Sequence, residues 1–85
     1  MSMGRERDQL DVFEIERMVA RALVTLVEDR RAQHHISAKV LAEYTQLPLR
    51  RVREVIALWE LRTVSGDALY LTAQAMEHAR KLASD

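Results

Sequence analysis

The sequence has no cysteine, no asparagine, one proline and two glycines, and its basic and acidic residues cancel at 13 each. Without cysteine there is no disulfide framework, no thiolate metal site and no thiol nucleophile. With Gly4 and Gly66 alone, the backbone cannot form a glycine-rich phosphate cradle. No apolar run approaches the roughly 18 residues of a membrane span, and Met1 to Asp11 is polar where a signal peptide would be apolar. A cytoplasmic protein with no membrane partner is expected. The zero net charge counts against nucleic acid, since phosphate binding usually marks a domain as basic. At 85 residues the chain is one domain, near the size at which a single core barely suffices, so support from a second copy is expected.

What is present is periodicity. Residues 1–9 alternate charges without a core pattern and form a flexible arm; residues 10–85 form the domain. From about Leu10 to Arg31 neither proline nor glycine interrupts a 3.6-residue repeat, which predicts one helix about 30 Å long. Val12, Ile15, Val19, Ala22, Leu23 and Leu26 form its core stripe, and Glu14, Arg17, Arg21, Thr25 and Glu28 a polar strip. Phe13, Ala20, Val24 and Val27 make a second apolar lobe. In a monomer this lobe would pack on the last helix and in a dimer on its own copy; the helix is too long for so small a core, which favours a homodimer through these four residues.

Ser37 suits the N-cap of a second helix, with Ile36 stapled onto Leu41 and with Val40, Leu41 and Tyr44 facing the core. Gln46, Leu47 and Pro48 break the pattern, and a third helix starts near Leu49. Leu49, Val52, Val55, Ile56 and Trp59 share its inner face, with Trp59 as the largest core contributor; Arg50, Arg53 and Ala57 share the outer one. The period then changes: Thr63 to Ser65 and Ala68 to Leu71 read as two strands about a Gly66–Asp67 turn. Thr72 caps a last helix whose stripe is Met76, Ala79, Leu82 and Ala83, with Leu71 and Met76 as its staple.

Helix, turn, helix and hairpin in this order, followed by Leu71, Thr72, Ala75, Ala79 and Leu82, resemble the winged helix-turn-helix domain of small bacterial and archaeal MarR-like transcriptional regulators. Ala75 departs from that pattern, which often has glycine there. The resemblance covers Ile36 to about Ala83 and implies an α+β, helix-rich fold: long N-terminal helix, helix-turn-helix, two-stranded wing, C-terminal helix. It also implies a double-stranded DNA partner and a role in transcription regulation. A helix entering the major groove presents its first turns to base edges, and arginine pairs bidentately with guanine. The expected DNA-binding residues are Lys39, Arg50, Arg51, Arg53 and Arg62, with the helix from about Leu49 to Leu61 reading the major groove. The competing account leaves these arginines solvated, with Arg50 paired to Glu54 at i, i+4. Asp67 at the wing tip, with no cation beside it, is no phosphate clamp: either the wing is idle, or the domain is a winged-helix module that binds a protein partner without binding DNA.

No enzyme is expected, because no nucleophile, base and metal set appears. No cofactor is implied. His34 and His35 are adjacent and so point about 100° apart on a helix, with His78 the one other histidine; a surface pair rather than a metal site is expected.

Overall fold

The computed structural model describes residues 10–31, 35–64 and 66–84. The expected arm at residues 1–9 and the expected histidine pair, through His34, lie outside them.

Helix α1 (Val12–Val24) starts later than its periodicity predicts, because Asp11 caps it. The Asp11 carboxylate accepts from the Glu14 N–H at 2.8 Å, and the Glu14 carboxylate accepts from the Asp11 N–H at 3.2 Å, a reciprocal capping box. The helix continues as a π-helical turn, Thr25–Asp29, in which the Arg30 N–H donates to the Thr25 carbonyl at 3.2 Å. No proline or glycine marks that change of winding.

Helices α2 (Ala38–Thr45) and α3 (Leu49–Leu58), strands β1 (Arg62–Thr63) and β2 (Leu69–Tyr70), and helix α4 (Ala73–Ser84) follow. The class is α+β and helix-rich, as expected. Ser37 caps α2 by accepting from the Val40 N–H, and Thr72 caps α4 by accepting from the Ala75 N–H, both as their chemistry predicts. The antiparallel pair has Arg62 opposite Tyr70 and Thr63 opposite Leu69. The Val64 N–H donates to the Ala68 carbonyl at 2.7 Å, and the described part of the turn between them is Gly66, at φ +65°, and Asp67. The chain also adds a third short extended segment. Ser37 bridges Ala68, and the Leu69 N–H donates to the Ile36 carbonyl at 2.7 Å, so the hairpin is fastened to the start of α2.

The core is built from Ile15, Val19, Leu23, Ile36, Leu41, Val52 and Val55, all essentially without exposure. Leu47, Leu69, Met76 and Ala79 complete it from the turn, the hairpin and α4. Three expectations change. Val12 is 45% exposed, since it lies at the first position of α1 beyond the reach of the core. Ala20, assigned to a dimer surface, is fully buried within the chain, where α4 covers that side of α1; of the same lobe, Val24 and Val27 are half-buried and Phe13 remains exposed. Tyr44 is 42% exposed, with the Arg30 guanidinium 5.7 Å from its ring centre. Thr45 is buried instead, its hydroxyl donating to the Leu41 carbonyl at 2.6 Å and thereby satisfied.

Trp59 is the fourth change in side-chain placement. It is half-buried at the edge of the core rather than central to it, because its indole N–H donates to Glu16 at 2.8 Å. A tryptophan with its polar edge engaged in this way packs as a border residue.

Candidate nucleic-acid interface

The segment joining α2 to α3 is held by four small devices. Gln46 ends α2 in the left-handed conformation at φ 65°, and its side-chain amide donates to the Glu43 carbonyl at 3.1 Å. The Thr45 hydroxyl accepts from the Leu47 N–H at 3.3 Å. Leu47 is buried and anchors the turn. Pro48 then stands at the N-cap of α3, its carbonyl accepting from the Arg51 and Val52 N–H groups. Proline costs nothing here, since an N–H at this point would have no helical acceptor.

This turn sets the rotation of α3. Val52 and Val55 point into the core, while Arg50, Arg53, Glu54 and Ala57 are exposed. Lys39, in the first turn of α2, is exposed as well. Arg53 makes no ion pair among the described residues. Arg50 and Arg53 therefore share the solvent face of one helix, as their spacing predicts.

Arg51 does not belong with them. Its side chain is 15% exposed, Nη1 donates to Glu54 at 2.5 Å, and Nη2 donates to the Leu10 carbonyl at 2.6 Å. Whereas Arg50 and Arg53 face solvent, the guanidinium braces α3 against the start of α1, with two of its nitrogens engaged inside the chain. Its Nε is buried without a hydrogen-bond partner, a further cost carried by the brace. No periodicity could have revealed this, because the acceptor is a backbone carbonyl remote in sequence.

Arg62 is exposed on β1, beyond the C-terminal end of α3. It lines a cavity together with Trp59 and Tyr70, away from Arg50 and Arg53. At the hairpin, Gly66 and Asp67 are exposed and Val64 is 50% exposed, so the described part of the tip presents an acid and an apolar side chain with no cation. Among the described residues no helix is long and apolar enough to cross a membrane. No protein-family model, curated protein or solved structure matches the chain.

Proposed function

We propose that this chain is a winged-helix protein that binds double-stranded DNA and regulates transcription, with α3 entering the major groove. The observation that carries the reading is the rotation of α3: Val52 and Val55 are inside, and Arg50 and Arg53 are in solvent on its first turns. Those turns are the part of a recognition helix that meets base edges. The element order supports it, with a helix, two helices about a tight turn, a hairpin and a last helix. The pairing of Ile36 and Ser37 beside β2 fastens the hairpin to the start of α2, next to the two-helix unit. The inference from fold to function is an analogy, and the arginine face gives it chemical content.

In this reading Arg53 contacts a base, Arg50 assists from the first turn, and Lys39 meets the backbone from α2. A homodimer fits the same reading. Its contact would centre on Phe13, with the half-buried Val24 and Val27 at its side.

Selection from random duplex DNA tests the proposal. A dimer returns an inverted repeat whose half-sites are centred about 34 Å apart, and Arg53→Ala relaxes the preference within each half-site. If no sequence is enriched and the protein runs through immobilised DNA at about 0.1 M salt, where even a modestly charged binder is retained, the reading fails. One observation favours a second account, a protein-binding winged-helix module: the hairpin tip offers Asp67 and Val64 where a DNA-binding wing would offer a cation. Salt separates the two, because counterion release makes DNA binding fall steeply as salt rises.

A further inference from the structure

The chain has four aromatic residues, one Phe, two Tyr and one Trp. Two of them, Trp59 and Tyr70, line a single cavity together with His78. It has a volume of about 590 Å³ and lies between the C-terminal end of α3, the hairpin and the first turns of α4. Small-molecule sites span roughly 300 to 1,000 Å³.

The aromatic walls are held in place. The Trp59 indole is fixed by its hydrogen bond to Glu16, and His78 meets it edge to face, with ring centres 5.1 Å apart and planes at 86°. Tyr70 is 56% exposed and is the cross-strand partner of Arg62, so both side chains leave the same face of the hairpin. Glu60 and Arg62, of opposite charge, line the same cavity, and neither has an ion-pair partner among the described residues. Glu60 is in the left-handed conformation at φ 56°, where it ends α3: its N–H donates to the Ala57 carbonyl and the Leu61 N–H to the Ile56 carbonyl, and this cap sets where the chain turns along the cavity.

Three ligand classes can be compared with these residues. An aliphatic molecule would use the leucines and leave Glu60 and Arg62 idle. A simple anion would use Arg62 but meet the Glu60 carboxylate. A planar ring with a hydrogen-bond-donor edge and a separate anionic group would use the aromatic walls and both charges. Among nucleotides the donor edge that suits a carboxylate is guanine's, with an N–H and an NH₂ side by side; adenine puts a ring acceptor beside its single amino group.

We propose that this cavity binds a free guanine nucleotide. The base packs between Trp59 and Tyr70, the Glu60 carboxylate accepts from the base edge, and the Arg62 guanidinium holds the phosphate. Lys39, Arg50 and Arg53 do not line the cavity, so the site is separate from the face that α3 offers to DNA.

The chain has one indole, on a residue that lines this cavity, so the indole resonance in the isotopically labelled full chain reports binding through the ring that carries it. Guanosine 5′-monophosphate should shift that resonance saturably, and adenosine 5′-monophosphate should bind about tenfold more weakly, the discrimination a hydrogen-bonded edge supplies. Tyr70→Ala should weaken binding by about tenfold, in line with loss of one base–aromatic stack, and Arg62→Gln should do so by removing the phosphate contact. Glu60→Gln should abolish the preference for guanine, with circular dichroism confirming that each variant is folded. The proposal is overturned if no nucleotide shifts the resonance at about 10 mM, weaker than any useful site. It is equally overturned if inorganic phosphate or ribose 5-phosphate gives the same shift, or if a single-stranded deoxyguanosine oligomer binds and the free nucleotide does not.

Discussion

The Arg51 guanidinium donates to the Leu10 carbonyl at 2.6 Å, joining the first turn of α3 to the residue that leads into α1. A hydrogen bond from a charged donor in a part-buried place contributes about 1.5 to 3 kcal/mol. Arg51→Ala should therefore lower the unfolding free energy by about 1 to 3 kcal/mol, measured by urea denaturation. Arg51→Lys should recover little, since an ammonium cannot hold two acceptors in a planar fork. If Arg51→Ala instead leaves stability intact and weakens DNA binding, the brace has been misjudged.

Arg53 and Lys39 should separate in a binding assay. Arg53→Ala should cost about 1 to 3 kcal/mol on the selected sequence and broaden preference there. Lys39→Ala should weaken all sequences alike and lower the salt slope by about one unit. Equal behaviour of the two variants would argue that α3 is not in the groove.

Three helical segments end on a left-handed residue that is not glycine: Arg31, Gln46 and Glu60. Left-handed backbone costs an L-residue about 1 to 2 kcal/mol, and glycine removes that cost while losing more chain entropy on folding. Glu60→Gly should raise stability by about 0.5 kcal/mol on balance. Gln46→Gly should gain less, because the Gln46 amide donates to the Glu43 carbonyl. Thermal melts of the two variants side by side decide the order.

Phe13 is 53% exposed, so a charge there can be introduced without opening the core. Phe13→Glu should turn a dimer into a folded monomer by sedimentation equilibrium, whereas Val24→Glu, at a half-buried site, should also reduce stability. An unaltered protein that is monomeric at tens of micromolar, about −6 kcal/mol of association at most, would remove the dimer from the proposal.

Leu41 is fully buried and Trp59 half-buried, which reverses the order of importance expected from size. Leu41→Ala should cost about 2 to 5 kcal/mol. Trp59→Phe, which keeps most of the packing and loses the bond to Glu16, should cost about 1 kcal/mol.

Local chemistry was legible in the sequence, and remote partnership was not. The caps at Ser37 and Thr72, the turn at Pro48 and the rotation of α3 follow from residues within one helical turn of each other. Arg50, Arg53 and Lys39 were placed in solvent on that basis. Ala20 was misjudged because helical spacing gives the faces of α1 but does not say which one α4 covers. The brace made by Arg51 and the border position of Trp59 were not legible, because their partners, the Leu10 carbonyl and the Glu16 carboxylate, are fixed by how distant elements meet. The π-helical turn at Thr25–Asp29 has no residue signature of its own.

The link between Ile36 and Leu69 also bears on the order in which the molecule can be completed during synthesis. The Ser37 cap of α2 needs only Val40, which follows it at once, so that helix can be fastened while the chain is still emerging. The Ile36 carbonyl waits for Leu69, which is made after α3 and β1. At about 5 to 20 residues per second, the helical pair exists for seconds with its upstream edge unsealed. During that interval a chaperone, a protease or a second nascent chain would meet an open strand edge that the finished protein no longer presents.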